Sequence, residues 1–418
     1  MKRLLPFGLL LLFPVLLFPA ESPYFGSVIN ISADSTGNVV LVDKSRQQLF
    51  VVKSTAPNHL TLLKEYRVTT GQVNGNKEQE GDMKTPEGVY RVTSSISGDR
   101  LPAMYGPIAL VLNYPNLVDR LWHHTGSNIW IHGRDEAIRD FQTEGCISLE
   151  NGNIMHLLSY IKPNQTPVVI ADSLRRFDEQ SYSLLGSYWK RKLETWADSW
   201  ANGDTLTYFN FYSPQYNDGS LNYRQFKEKK MLLETVYDWK SVSVDDIILY
   251  YTPNESRLVF KQDYYCPNFY SEGIKQLTLV SSDNAWRIVA ESYAPLTASI
   301  PPRQFLAAFV SKWQQAWESS DIGQFIKLYD EKFQTDEYDY DSWFDYKKEI
   351  FQESNRIRVN VSNLTVRNTG KEEWEVSFNQ AYHSNDYSDF GRKTLLVHGM
   401  PGNLKILTEK WRAITSGQ

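Results

Sequence analysis

Between residues 28 and 171 apolar positions recur in short runs, and most of the runs have strand character. VVLVDKSRQQLFVVK (39–53) sets two Val/Leu/Phe-rich runs around the polar turn Asp43–Gln47, which predicts a β-hairpin. LTLLKEYRVTTG (60–71), GVYRVTSSI (88–96), IALVLNYP (108–115) and NIWIHG (128–133) predict further strands. NGNIMHLLSYI (151–161) has the spacing of a short helix, and TPVVIA (166–171) that of a closing strand. The segment GQVNGNKEQEGDMKTPEG (71–88) is polar and glycine-rich, so it reads as a long surface loop. It lacks the Gly-Lys-Ser/Thr ending of a phosphate-binding loop. Many short strands with few helices predict a mainly β, sandwich- or barrel-like domain.

The pattern changes near residue 172. SLLGSYWKRKLETWADSWANGDTLTYFNFYS (183–213) places Trp189, Leu193, Trp196 and Trp200 at helical spacing. Its motif WADSWANGD (196–204) returns as WQQAWESSD (313–321), 117 residues on. At the same offset Tyr212 and Tyr216 meet Tyr329 and Phe333, and Phe226 and Lys230 meet Trp343 and Lys347. Gly273 falls opposite Gly391, and WRIVAE (286–291) opposite LKILTE (404–409). Agreement over about a hundred residues is the signature of a duplication. Each copy runs helices first and strands second, an order that resembles the α+β cone of nuclear-transport-factor-2-like proteins. PLTASIPPR (295–303), with three prolines, reads as the linker. The expected organisation is therefore an N-terminal segment at 1–20, a β domain at 28–172, and cones at 183–294 and 303–415.

Lys2 and Arg3 precede the apolar run Leu4–Ala20, broken by Pro6, Pro14 and Pro19. This reads as an export signal, cleaved or kept as an anchor, and it places the remainder in the periplasm or cell envelope. The composition, 41% hydrophobic and 22% charged, is that of a globular chain, and the net charge of −5 argues against a nucleic-acid partner. Two cysteines, Cys146 and Cys266, do not make a disulfide framework.

The candidate chemistry lies in IHGRDEAIRDFQTEGCISLEN (131–151). A thiolate is the nucleophile of cysteine chemistry, and an imidazole either takes the thiol proton or stabilises the anion. His132 ends the strand NIWI, and Cys146 follows Gly145, whose freedom to turn sharply brings amide N–H groups near the sulfur, as a developing oxyanion requires. The polar residues between them predict an exposed excursion that returns Cys146 to face His132. On generic grounds a Cys and a His in one stretch are more often an inert pair.

The wider text resembles the L,D-transpeptidase catalytic domain. Ile131-His132-Gly133 and Thr143-Glu144-Gly145-Cys146-Ile147 stand as its signature, GDMKTPEGVYRV (81–92) as its Thr-Pro-x-Gly-x-Tyr element, LNYPNLVDR (112–120) as its Asn-Tyr-Pro-Asn segment, and 39–52 as its first hairpin. Two departures stand out: Glu144 where many members have His, and Ser148 where many have Arg. The resemblance implies a β-sandwich and acyl transfer on peptidoglycan stem peptides. Cys146 would be the nucleophile, His132 the general base and acid, and the backbone at Gly145 the oxyanion site. Gly133, Thr143, Arg134 and Tyr114 would contact substrate. Neither metal nor organic cofactor is implied. The acceptor is a stem amine (L,D-transpeptidase) or water (L,D-carboxypeptidase). A branch with a C-terminal cone trims stems in curved or helical bacteria. The cones would position substrate or dock protein partners, with Trp189, Trp196, Trp200, Trp313, Trp317 and Trp343 packed inside. The alternative, prompted by Glu144 and Ser148, is a wall-binding scaffold without turnover.

Overall fold

The computed structural model describes residues 24–414 except 283–284, 297, 354–355 and 386. The apolar run at 4–20 lies outside the described residues. Thirteen elements come first: β1 (Tyr24–Phe25), β2 (Val28–Asn30), β3 (Gly37–Asp43), β4 (Gln48–Ala56), β5 (His59–Arg67), β6 (Gly88–Ser97), β7 (Ile108–Leu112), α1 (Leu117–Leu121), β8 (Trp130–Arg134), β9 (Ile147–Glu150), α2 (Asn151–Leu158), β10 (Pro167–Ala171) and β11 (Arg176–Phe177). Eight of the strands build one sheet in the order β5-β4-β3-β10-β6-β7-β8-β9, while β1 and β11 pair with each other. β10, expected to close the domain, instead lies mid-sheet, parallel to β3 and antiparallel to β6.

The alternation along β3 and β4 explains how this sheet is used. Val40, Val42, Leu49 and Val51 point into one core with Tyr66, Tyr90, Ile131, Ile147 and Ile154. Val39, Leu41, Phe50 and Val52 point into another, shared with Trp189, Trp196, Leu249 and Phe260. A strand buried on both faces reads as a continuous apolar run, which is why VVLV carries no polar positions. The second face is covered by the first cone.

That cone comprises α3 (Glu179–Ala201), α4 (Thr205–Asn210), α5 (Tyr223–Val236), β12 (Ser241–Tyr251), β13 (Glu255–Tyr265), β14 (Tyr270–Ser282) and β15 (Ala285–Pro295). The second comprises α6 (Pro302–Glu318), α7 (Ile322–Ile326), α8 (Tyr340–Glu353), β16 (Arg358–Gly370), β17 (Glu373–His383), β18 (Ser388–His398) and β19 (Lys405–Ala413). Helix starts follow local chemistry: Asp178, Asp204 and Asn222 accept backbone N–H groups at the first turns of α3, α4 and α5. The antiparallel sheets run β15-β14-β13-β12-β2 and β16-β17-β18-β19. Thus β2, which the linear pattern groups with the β domain, is an edge strand of the first cone, pairing Val28–Asn30 with Ile248–Tyr250.

The duplication is visible atom by atom. Trp196 Nε1 donates to Tyr212 Oη (3.1 Å), which donates to Glu291 (3.2 Å). Trp313 Nε1 donates to Tyr329 Oη (3.0 Å), which donates to Glu409 (2.8 Å).

Candidate active site

Parity and register put the expected pair on one face. β8 and β9 run parallel, with Ile131 opposite Ile147 and His132 opposite Ser148. Ile131, Ile147 and Leu149 point into the core. Side chains alternate along a strand, so Trp130, His132, Cys146 and Ser148 belong to the opposite face. Tyr105, at the end of the 3-10 turn Ala103–Tyr105, covers that face. Its ring meets those of Trp130 (5.2 Å between centroids) and His132 (4.9 Å) edge-on. Burial raises the Tyr105 hydroxyl above its usual value, and the neighbouring Cys146 and Glu144 add to this. Nothing in the linear sequence marks Tyr105 as a site residue.

His132 Nδ1 lies 2.8 Å from the Gly133 carbonyl. A carbonyl only accepts, so the proton sits on Nδ1 and Nε2 keeps its lone pair. Burial pushes this imidazole below its usual value, and Arg134 acts in the same direction. Burial pushes the half-buried Cys146 thiol up; the Trp130 backbone pulls it down, Glu144 pushes it up and Lys77 pulls it down. The thiol donates to the Asn128 carbonyl at 3.5 Å. Both directions describe a neutral thiol beside a neutral imidazole.

The turn before Cys146 is held from three sides. Thr143 Oγ1 donates to the Cys146 carbonyl (2.6 Å) and accepts from the Gly145 N–H (3.2 Å). Thr85 Oγ1 donates to the Gly145 carbonyl (2.9 Å). The extension of β5 pairs Thr69 with Ser148 and Gly71 with Thr143. Gly145 adopts φ +135°, and a Cβ there would lie 2.9 Å from the Lys84 carbonyl, so glycine is required on both counts. Its N–H, however, is engaged by Thr143. The Cys146 N–H has no acceptor among the described residues.

Three residues expected to contact substrate also make structural interactions. Thr143 is spent on the turn. Tyr114 is buried and donates to the Thr125 carbonyl (2.9 Å); its bond to Pro115 is cis. Gly133 is a packing glycine, with Pro107 and Asn151 pressed against it. Arg134 stays at the cleft, paired with Glu136 at 2.5 Å. The supposed surface loop at 71–88 is pinned by two buried lysines. Lys44 reaches Gly75 O (2.6 Å), Thr85 O (3.0 Å) and Glu87 (2.7 Å). Lys77 reaches Gln79 O (3.0 Å) and Asp82 (2.7 Å). Cys266 is buried with no imidazole partner, as expected of an inert thiol. Among the described residues no group of three His, Cys, Asp or Glu side chains is placed to hold a metal ion.

Each cone has a cavity of its own. One, of about 350 Å³, is lined by Trp200, Lys230, Lys275 and Glu291; the other, of about 1210 Å³, by Trp317, Trp343, Lys347, Lys393 and Glu409. Trp189, Trp196 and Trp313 are core residues, whereas Trp200, Trp317 and Trp343 are buried yet face these cavities.

This architecture matches two families. Residues 37–170 match the L,D-transpeptidase catalytic domain, and residues 189–292 and 305–410, half of the chain, match the Cds6 C-terminal NTF2-like domain. The chain belongs to the family that joins an L,D-transpeptidase catalytic domain to C-terminal NTF2-like domains. Its function is accordingly L,D-transpeptidase-like and directed at peptidoglycan.

Two solved structures share the arrangement. Bd1075 of Bdellovibrio bacteriovorus is 26% identical with a TM-score of 0.58, and the match covers 65% of this chain and 98% of that one. A variant of the helical cell shape determining protein Pgp2 from Campylobacter jejuni is 29% identical with a TM-score of 0.50, covering 64% and 93%. About a third of this chain lies outside either match. No curated protein matches it.

Proposed function

We propose that this protein is an extracytoplasmic cysteine acyltransferase acting on the tetrapeptide stems of peptidoglycan. Cys146 Sγ attacks the carbonyl of the third residue, a diamino acid. His132 Nε2 takes the thiol proton during attack and returns it to the departing D-Ala amine. The Cys146 N–H faces the developing oxyanion. An amine of a second stem, or water, then releases the acyl group from sulfur. Arg134, beside the imidazole, is suited to a stem carboxylate.

The observation that carries this reading is the shared face of Cys146 and His132 under Tyr105, with a neutral imidazole whose free lone pair is on Nε2. The test is incubation of protein beginning at residue 21 with tetrapeptide muropeptides, read by mass spectrometry. Release of D-Ala that vanishes in Cys146→Ala and persists in Cys266→Ser is the expected result. Product mass separates crosslinked dimers from trimmed tripeptides. An unaltered muropeptide pool would sink the proposal in favour of a wall-binding scaffold.

A further inference from the structure

The two cones end their sheets differently. In the first, β12 is covered by β2; in the second, the corresponding strand β16 is the outermost one. The 117-residue offset allows the two edges to be compared residue by residue. Both carry a bulge at the same place, between Asp245 and Ile248 in β12 and between Ser362 and Thr365 in β16. Within it Asp246 and Asn363 take φ +52° and +51°. A bulge often protects an edge from pairing, yet β12 pairs with β2 immediately beyond its own.

The first cone shows which backbone groups such an edge offers. Ile31 N–H donates to the Ile247 carbonyl (2.8 Å), Leu249 lies opposite Ile29, and Tyr251 N–H donates to the Ser27 carbonyl (3.0 Å). The offset carries Ile247, Leu249 and Tyr251 onto Leu364, Val366 and Asn368. Among the described residues, no backbone hydrogen bond joins these three to a strand or loop outside their own sheet. Burial diverges at the same point: Ile247 and Leu249 are buried, whereas Leu364 and Val366 are only half-buried over the second core. Beside them runs a groove of about 600 Å³, lined in part by Pro302, Arg303, Leu364, Thr365, Val366 and Trp374. In the first cone Ile29 takes the corresponding place, 3.4 Å from a Cβ built at Gly186, the counterpart of Arg303. The linker before α6 does not supply a covering strand, because Ile300 exchanges both backbone bonds with Tyr270 on β14 (2.9 and 3.0 Å).

We propose that β16 pairs antiparallel with β16 of a second copy of this chain, about a two-fold axis at Val366, joining two four-stranded sheets into one. The strand's own sequence argues for this occupant. An edge that bonds through Leu364, Val366 and Asn368 is self-complementary about Val366: Val366 faces its own copy, and Leu364 faces Asn368. Val366 then stands opposite Val366 as Ile29 stands opposite Leu249. Thr365 faces Arg367 and Asn363 faces Thr369, so no like charges oppose each other across the junction. Arg358, the other charge on β16, falls outside the paired stretch. Leu364 and Val366 of the copy enter the groove, where the first cone holds Ile29. The pairing uses no part of the catalytic site and stands apart from the acyl-transfer reading.

The experiment is sedimentation velocity on protein beginning at residue 21, at concentrations from about 1 to 100 µM, the range in which modest interfaces assemble. The parent should pass from one chain to two. Thr365→Lys, at an exposed position, sets a lysine against Arg367 on each side of the axis and should weaken pairing by about tenfold. Thr365→Lys/Arg367→Gln removes that repulsion and should regain dimers, which also shows that the lysine leaves the cone folded. A parent that sediments as one chain throughout overturns the proposal. So do dimers indifferent to Thr365→Lys, which would locate the interface elsewhere, and a double variant that stays monomeric.

Discussion

A cysteine and a histidine define chemistry only through their protonation states, and here burial sets both. The imidazole is held below its ordinary value of 6.5 and the thiol above its own. In the proposed mechanism the reactive form is the neutral pair, and burial favours a neutral His132 to lower pH than a free histidine. The acid limb of kcat/KM for D-Ala release should therefore reach half-maximum below pH 6.5, with a plateau toward alkaline pH. An acid limb centred above pH 7 would instead indicate a resting thiolate–imidazolium pair. The strand end at His132 and the glycine turn before Cys146 were legible in the sequence because an Ile-His-Gly strand end and a Gly-Cys turn are local features. Tyr105 was not, since it meets His132 only by folding of a segment 41 residues from Cys146 in sequence.

At the level of elements, the cones show how aromatic walls shape charge. Lys230 on α5 sits 3.7 Å from the Trp200 ring centroid, and Lys347 on α8 sits 4.1 Å from that of Trp317. Burial pushes both amines down to about 7 despite the glutamates nearby. Between pH 7 and about 10.5 the unfolded chain then binds more protons at these lysines than the folded one, so stability rises with pH. The slope is at most about 1.4 kcal/mol per pH unit for each lysine. Buried tyrosines such as Tyr212 and Tyr329, held well above 10, reverse the trend only above pH 10. Thermal midpoints should climb from pH 7 to 9, and the Lys230→Met/Lys347→Met pair should flatten the climb. A midpoint independent of pH in the parent protein would contradict the buried neutral amines. The repeat made the equivalence of these lysines readable in the sequence, but not the cavities they line.

Across the whole molecule, the catalytic domain and the first cone are one folded unit. β2 completes the cone's sheet, and the outer faces of β3 and β4 share its core. Glu255, at the start of β13, reaches back into the catalytic domain. Its Oε2 accepts from the Val89 N–H and Asn116 Nδ2 (3.1 Å each), and Oε1 pairs with Arg257 at 2.7 Å. Asn116 in turn caps α1, and Asp119 on α1 accepts from Tyr90. Glu255→Ala would leave a buried arginine and two buried donors without an acceptor, a loss of about 3–5 kcal/mol in denaturant unfolding. Glu255→Gln, which keeps the acceptor oxygen, should lose less. Equal stability of Glu255→Ala and the parent would disprove the tie. The cones also contact each other, through Tyr265 against Trp374 and the Trp239–Asn368 bond.

The sequence by itself determined the strand-rich catalytic domain, the duplicated cones and the Cys146–His132 pair. Each is written in short-range periodicity or in a repeat, where neighbouring residues impose the backbone. Tertiary structure alone decided which strand face meets the cone and that β2 changes sheets. It also decided that Tyr114 is buried on the Thr125 carbonyl, that Pro107 and Asn151 press on Gly133, and that Tyr105 covers His132. These depend on which distant surfaces exclude water together, and a linear pattern does not encode a partner's position.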